Sequence, residues 1–206
     1  MLETLARRIS AVAYTGKRRV VALAGPPASG KSTLAETLER NDSTMQVVPM
    51  DGFHLDNALL IERGLLCRKG APETFDAAGF IHLIRRLKTE DDVVFPRFDR
   101  SLDMSIAGAG IIRPETTTIL VEGNYLMLDQ PVWRDLRQIW DFSVGIDVSL
   151  QVLEQRLLQR WIDHGYTPQD AQAKAEGNDL PNAKLVLENA YPCDIVIAQD
   201  QQSIIA

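Results

Sequence analysis

Apolar residues along this chain follow two patterns that alternate from one end to the other. Short runs rich in Val and Ile are separated by longer segments in which apolar positions recur at helical spacing. The short runs are typical of strands buried on both faces, so the alternation predicts an α/β fold with a mainly parallel sheet and helices on both sides. The predicted strands are residues 19–24, 46–49, 92–95, 117–121, 142–148 and 194–198.

The segments of helical period define the remaining elements. They predict helices at residues 31–40, 55–63, 76–88, 132–138, 150–163, 168–176 and 182–189. Leu2, Leu5, Ile9 and Val12 share this spacing, which indicates an amphipathic N-terminal helix and not a signal peptide. Residues 96–114 have weak periodicity and several turn formers, which indicates a small hairpin or an irregular excursion beside the sheet.

Composition narrows the class of protein. The chain has 206 residues, 45% of them hydrophobic and 24% charged, which fits a single domain spanning residues 1–206. A net charge of −6 argues against a nucleic-acid partner, because gripping a phosphate polymer requires clustered Lys and Arg. Cys67 and Cys193 have no metal-ligand spacing and are interpreted as reduced packing residues. No apolar run is long enough to cross a membrane, so we expect a cytoplasmic protein.

One segment carries a specific motif for phosphate binding. Residues 25–32 match the P-loop pattern GxxxxGK[ST] and lie between a predicted strand and a predicted helix. Inward-pointing backbone N–H groups and the positive end of the helix would cradle phosphates, so the motif predicts ATP binding. Lys31 should reach the β- and γ-phosphates, Ser32 should bind Mg²⁺, and Thr33 should lie near the α-phosphate. The predicted nucleotide-binding set is Gly25, Pro26, Pro27, Ala28, Ser29, Gly30, Lys31, Ser32 and Thr33.

Two carboxylates follow predicted strands and are candidate partners of the phosphate loop. Glu122 follows the run 117–121 and is a candidate for supporting Mg²⁺, with a cap or loop carboxylate as the alternative. Asp51 follows the run 46–49, where it can accept the proton of an attacking hydroxyl; an Asx turn before Gly52 is the alternative. His54 is a candidate substrate contact or a packing residue.

With these motifs in place, the chain resembles the phosphoribulokinase, uridine kinase and pantothenate kinase family of P-loop kinases. The resemblance rests on the phosphate loop and on four further motifs, which are Met-Asp-Gly-Phe-His at 50–54, Arg-Lys-Gly-Ala-Pro-Glu-Thr-Phe-Asp at 68–76, Pro-Arg-Phe-Asp-Arg at 96–100 and Val-Glu-Gly at 121–123. With Asn-Asp-Leu-Pro-Asn at 178–182, the chain looks nearest to a short bacterial branch of fructose-transport-system, or fructokinase-like, kinases.

The resemblance implies a fold and a set of roles. It implies a three-layer α/β/α P-loop fold with a helical lid near residues 150–180, Asp51 as the base and Glu122 as support for Mg²⁺. It also implies that residues 68–76 and 96–100 line the acceptor pocket, and the candidate substrate residues there, with Asp51 and His54, are Arg68, Lys69, Arg97, Asp99 and Arg100. Related uridine and pantothenate kinases commonly carry Tyr and His where this chain has Phe-Asp-Arg at 98–100, and the charged side chains suit a polyol, a sugar or an acid-bearing metabolite.

Arg156 and Arg160 lie four residues apart and should share one helix face. In the family that it resembles, this stretch is similar to a lid whose arginines stabilise the transferring phosphoryl group, so both are candidate catalytic residues beside Lys31. A solvated face paired with Glu154 is the alternative. His164 and Gly165 indicate the end of this helix. Residues 178–182 are interpreted as a cap of the next helix, with contact to the nucleotide base as the alternative.

The sequence therefore predicts an ATP- and Mg²⁺-dependent kinase that phosphorylates a hydroxyl of a small metabolite, for which a sugar such as fructose is one candidate. The alternatives are a pantothenate or nucleoside kinase, and a nucleotide-dependent regulatory ATPase. No nucleic-acid or membrane partner is expected, and a homodimer is left open.

Overall fold

A computed structural model of the chain describes residues 1–198 and 203–205. The main sheet has six strands in the order β2-β5-β1-β6-β7-β8, and every pairing except β7 with β8 is parallel. This confirms the predicted mainly parallel α/β fold. The strands of the sheet are β1 (Arg19–Ala24), β2 (Met45–Pro49), β5 (Thr118–Gly123), β6 (Phe142–Asp147), β7 (Ile195–Ala198) and β8 (Ser203–Ile205).

Helices cover both faces of this sheet. They are α1 (Leu2–Ala11), α2 (Lys31–Asn41), α3 (Asn57–Glu62), α4 (Ala77–Thr89), α5 (Leu150–Asp163), α6 (Pro168–Lys174) and α7 (Leu180–Asn189). Alternate residues of β1 enter two different cores: Val20 and Ala22 pack in the core that contains α4, and Val21 and Leu23 pack in the core that contains α1 and α2. Burial on both faces explains why the strand is apolar at nearly every position.

A two-stranded hairpin stands beside the main sheet, as residues 96–114 predicted. Its strands, β3 (Val93–Asp99) and β4 (Met104–Ile112), pair antiparallel with an irregularity between Phe95 and Arg97. The prediction of residues 92–95 as a strand buried on both faces is therefore wrong. Val93 and Phe95 are buried, but Val94 between them is 49% exposed, so only one face of this run is covered.

Helix boundaries agree with the predictions to within a few residues, with two corrections. Residues Trp133–Gln138 form a 3₁₀-helix and not an α-helix. The helices predicted at 168–176 and 182–189 are joined by one π-helical turn, Ala175–Asp179, so the chain stays helical from α6 into α7. The predicted capping role of residues 178–182 is wrong, because α7 has no free N-terminus to cap.

Two smaller features complete the fold. The N-terminal helix is present, and its Leu5 and Ile9 are fully buried against the sheet. Cys67 is exposed, so its interpretation as a packing residue is wrong, whereas Cys193 is partly buried. Within the residues that the structure describes, no helix has the length and apolarity required to cross a bilayer.

Candidate active site

The phosphate loop connects the end of β1 to the start of α2, as the motif predicted. Ala24 ends the strand and Lys31 begins the helix. Two loop residues have left-handed backbone angles, Ala28 with φ of 63° and Gly30 with φ of 91°. Such angles curl the chain tightly, and a succession of them is typical of loops whose N–H groups surround an anion.

Lys31 lies among the charged residues that the sequence singled out. Desolvation lowers the pKa of its ammonium group, the carboxylates of Glu122 and Asp51 raise it, and the guanidinium groups of Arg160 and Arg100 lower it. These effects place both acids and both arginines within electrostatic range of the lysine. Residues from five separate parts of the chain therefore converge on one site.

Glu122 lies on β5 and is positioned by its neighbours in the sheet. It is paired across β5 with Leu23 of β1 and with Pro49 of β2, and it is only 7% exposed. The Ser32 hydroxyl donates a hydrogen bond to its carboxylate over 3.0 Å. Burial raises the pKa of Glu122, which the charge of Lys31 partly offsets. The alternative of a loop or cap carboxylate is excluded by its place within the strand.

Asp51 lies in a 3₁₀ turn, Met50–Phe53, that follows β2 directly. Its carboxylate accepts a hydrogen bond from the Arg100 guanidinium over 3.3 Å. The Arg100 side chain is 67% exposed and that of Asp51 is 30% exposed, so this ion pair is at the surface of the site. Exposed pairs of this kind are weak, so an incoming molecule can separate them at little cost.

The segment around Arg68 and Lys69, called the acceptor wall after the role that the sequence predicts for it, packs against α3 and the hairpin. Lys69 contacts Asn57 over 2.7 Å and Asp103 over 2.9 Å, and its ammonium lies 5.1 Å from the centre of the Phe98 ring. Lys69 is thereby held between α3 and the hairpin. Arg68 is more exposed and forms an ion pair with Glu73 at 3.1 Å.

The remaining predicted substrate residues have different surroundings. His54 packs between Phe75 and Phe98, with ring centres 4.1 and 4.6 Å away, and burial lowers its pKa. Asp99 accepts hydrogen bonds from Ser101 and Leu102 and so closes the hairpin turn. Arg97 lines a cavity of about 110 Å³ that also contains Ser32 and Glu122, on the opposite side of the hairpin strand from Phe98.

Arg156 and Arg160 lie on one face of α5, and both have partners outside that helix. Arg156 donates a hydrogen bond to the Ala28 carbonyl of the phosphate loop over 3.2 Å. Arg160 forms an ion pair with Asp179 at 3.1 Å. The predicted end of this helix is also observed, because His164 follows its last residue and Gly165 is left-handed.

The chain is similar in sequence to known proteins. No protein-family model matches the chain. The Escherichia coli K12 protein YggC, which is uncharacterized, is 36% identical over 192 residues, or 90% of this chain and 80% of YggC. A Schizosaccharomyces pombe protein provisionally named uridine kinase C227.14 is 32% identical over 198 residues, or 89% of this chain and 84% of its own length.

Among solved structures, a protein of Silicibacter sp. TM1040 with a provisional assignment as a fructose transport system kinase superposes with a TM-score of 0.91. It is 48% identical, and the superposition covers 95% of this chain and 98% of that one. The chain belongs to the uridine kinase, pantothenate kinase and phosphoribulokinase-like family of P-loop kinases. It is thus a kinase with an ATP-binding P-loop fold, and small molecules are the substrates that this family implies.

The site of this kinase has the chemistry that a magnesium ion needs. Mg²⁺ prefers oxygen ligands and usually keeps several waters while it bridges one or two protein groups to substrate phosphates. Ser32 and Glu122 supply such oxygens beside the 110 Å³ cavity, which has room for water. Among residues 1–198 and 203–205, no three His, Cys, Asp or Glu side chains form a metal cluster.

Tyr125 was not recognised from the sequence, and Asn178 and Asp179, which were interpreted as cap or base-contact residues, make other contacts. Tyr125 is fully buried, its hydroxyl donates to the Gly70 carbonyl over 2.5 Å, and burial raises its pKa. Asn178 donates to the Lys69 carbonyl over 2.8 Å. Asp179 holds Arg160. Tyr125 could have been noticed because it lies shortly after the Val-Glu-Gly motif. The contacts of Asn178 and Asp179 depend on tertiary structure and give no such signal in the sequence.

Proposed function

We propose that this kinase transfers the γ-phosphoryl group of MgATP to a hydroxyl group of a small metabolite, with Asp51 as the general base. The observation that carries the proposal is the presence of two separate acids beside Lys31. Glu122 is hydrogen-bonded to Ser32, and Asp51 follows the neighbouring strand β2, with its carboxylate paired to Arg100. An alcohol acceptor must lose a proton, and Asp51 is the group available to receive it.

The other side chains supply binding and charge stabilisation in this proposal. Lys31, Arg156 and Arg160 neutralise the charge that spreads over the phosphoryl oxygens during transfer, a role suited to fixed cations. Ser32 and Glu122 hold Mg²⁺, which when bound bridges phosphate oxygens and offsets their charge. The backbone of residues 25–33 holds the phosphates. A cavity of about 430 Å³ beside Ala28, Thr33 and Arg156 has the size and position to receive the rest of the nucleotide.

A polyhydroxylated or acidic acceptor, such as a sugar, fits the surroundings of Asp51. Arg100 is exposed and only weakly paired, so it is available to bind a hydroxyl or carboxylate oxygen of the acceptor. Lys69 and Arg68, which are paired with Asp103 and Glu73, place two further cationic donors on the acceptor wall. The Silicibacter protein, which is provisionally assigned to fructose transport, makes fructose a reasonable first compound to test.

The direct test of the base is Asp51→Asn. We expect turnover with an acceptor to fall by about 10²–10⁴-fold, because general-base catalysis is lost, while the affinity for MgATP stays within about threefold. Asp56→Asn is the matched control: Asp56 caps α3, and Asn caps equally well, so activity should be unchanged. Near-normal turnover of Asp51→Asn would refute the assignment.

The acceptor itself is found by measuring ADP release in the presence of sugars including fructose, polyols, pantothenate and nucleosides. One class of compound should accelerate ADP release well above the rate with water alone. ATP hydrolysis that no metabolite stimulates would instead favour a regulatory ATPase.

A further inference from the structure

A single π-helical turn contacts both halves of the proposed active site. Residues Ala175–Asp179 form this turn between α6 and α7. π-Helical turns are rare and are found frequently at functional sites, because they place side chains that a regular helix would direct elsewhere. The last two residues of this turn bind different parts of the chain. Asn178 binds Lys69 of the acceptor wall, and Asp179 binds Arg160 of α5, the predicted lid helix.

Asp179 holds the Arg160 side chain, and the Asp179 carboxylate is itself held by two hydrogen bonds. One of its oxygens accepts from the Arg160 guanidinium over 3.1 Å, and the other accepts from the Trp161 indole N–H over 2.6 Å. Its side chain is only 13% exposed. Because each oxygen has its own donor, the carboxylate cannot rotate without losing one of them, and the guanidinium is restricted in turn.

The direction in which Arg160 is held matters because α5 lies beside the phosphate loop: Arg156, one turn earlier on the same helix face, donates a hydrogen bond to the Ala28 carbonyl over 3.2 Å. The positive charge of Arg160 lowers the pKa of Lys31, so the guanidinium lies within electrostatic range of the residue that should reach the γ-phosphate. A long arginine side chain has many rotamers, and the cost of ordering it is reduced if a neighbour already holds it.

Asn178 attaches the same turn to the acceptor wall. Its amide donates to the Lys69 carbonyl over 2.8 Å, and its own side-chain oxygen accepts from Asn182, a buried residue of α7, over 3.2 Å. The Lys69 side chain is in turn held by Asn57 and Asp103. The turn therefore has one fixed attachment on the acceptor side and one on the lid side.

We propose that Asp179 is a positioning residue that aims Arg160 at the transferring phosphoryl group. Asn178 fixes the position of Asp179, because it anchors the π-helical turn to Lys69. This inference rests on the proposed role of Arg160 in phosphoryl transfer. Asp179 acts only through Arg160, so its removal should affect the stabilisation of the transferring group and leave the binding of ADP almost unchanged.

The test uses MgADP with aluminium fluoride, which imitates the transferring phosphoryl group and requires no knowledge of the acceptor. The measured quantity is the affinity for MgADP by calorimetry, with and without aluminium fluoride. We expect the fluoride to tighten binding in the unmodified kinase, and Asp179→Asn to reduce this tightening by about tenfold, as expected for loss of a charge-assisted contact. Affinity for MgADP alone should stay within about threefold, which also shows that the variant is folded.

Three further variants distinguish positioning from a general structural effect. Arg160→Ala should lose the tightening, and the double variant with Asp179→Asn should be no worse than Arg160→Ala alone, since the two act as one unit. Asn178→Ala should lose about threefold to tenfold of the tightening through one lost hydrogen bond. Asn189→Ala, at the exposed end of α7, removes a similar bond to a carbonyl and should have no effect.

The outcomes separate this inference from the proposed function. If Arg160→Ala keeps the tightening, or if the unmodified kinase shows none, the role of Arg160 fails and the inference fails with it. If Arg160→Ala loses the tightening but Asp179→Asn keeps it, only the positioning role is overturned. Additive effects in the double variant would equally overturn it, because they would mean that Asp179 acts independently of Arg160.

Discussion

Two residues of the site, Lys31 and Glu122, are buried, and burial disfavours the charged form of each. Glu122 is buried, and this burial raises its pKa even though Lys31 is nearby. Desolvation likewise lowers the pKa of Lys31. Both shifts mean that burial makes the charged forms, which would bind metal and phosphate, less favourable in this site than in water. The site is therefore built for a ligand that brings the complementary charges.

The first prediction concerns the free energy of unfolding of Glu122→Gln without ligand. A carboxyl group with a raised pKa binds more protons in the folded state, so its contribution to stability is present below its ordinary value of 4.5 and is lost as pH rises through the folded pKa. Gln imitates the protonated form and avoids this loss. We expect the variant to be more stable than the unmodified protein at pH 8, and this advantage to shrink as the pH approaches 4.5.

Urea unfolding at a series of pH values measures this difference. Glu36→Gln is the control, because Glu36 lines the same cavity but is exposed, so its replacement should leave the pH dependence unchanged. Kinase activity of Glu122→Gln should fall by at least about a hundredfold if Glu122 supports the metal. An advantage for Gln that is the same at every pH would contradict the argument from burial.

At the scale of elements, the turn that carries Asp51 and the hairpin that carries Arg100 pack as one unit. Gly52 lies against β3 so closely that a Cβ atom there would be 2.2 Å from the Pro96 carbonyl oxygen. Only a residue without a side chain permits this approach. The proposed base and the arginine that contacts it thus depend on one glycine between their elements.

Gly52→Ala should force the Asp51 turn away from the hairpin. Overpacking against a rigid backbone group typically costs about 1–3 kcal/mol, so we expect a loss of stability of that size and a reduction in turnover greater than the change in ATP affinity. Denaturant unfolding and steady-state kinetics measure the two effects. Gly177→Ala is a control for the unfolding measurement alone, because a Cβ at Gly177 meets nothing within 4 Å, whereas its place in the π-helical turn excludes it from the comparison of turnover. Equal stability of the two variants would contradict this account.

The elements differ in how much of them the sequence could predict. Helix α5 was predicted with its observed bounds, because Leu153 and Leu157 recur at helical spacing and are buried. The run 92–95 was misread because an apolar run does not reveal whether its second face is covered. The π-helical turn Ala175–Asp179 was missed, and the side chains of its last two residues contact Arg160 and Lys69, which are distant in sequence.

At the scale of the whole molecule, the strand order explains why the site forms where it does. Strand β5 lies between β1 and β2, so the phosphate loop, Glu122 and the Asp51 turn follow three neighbouring parallel strands at the same edge of the sheet. Each motif could be recognised in the sequence, and a parallel sheet gathers such motifs at its carboxyl edge. The contacts between Arg100 and Asp51 and between Asp179 and Arg160 could not be predicted, because they depend on how the hairpin, α5 and the π-helical turn lie against that edge.

The folded molecule as a whole should be stabilised by MgATP, and the size of the effect tests the proposed phosphate contacts. A ligand at a hundred times its dissociation constant adds about 2.7 kcal/mol to the free energy of unfolding, which for a domain of this size raises Tm by about 5–10 °C. Lys31→Met should abolish most of this rise, because the β- and γ-phosphates lose their cation, whereas Asp51→Asn should keep it. Lys17→Met, at the opposite end of β1 in an exposed ion pair with Asp91, is the matched control and should also keep the rise. Thermal unfolding with and without MgATP measures all four proteins under the same conditions. A rise in Lys31→Met equal to that of the unmodified kinase would show that the triphosphate is held without this lysine.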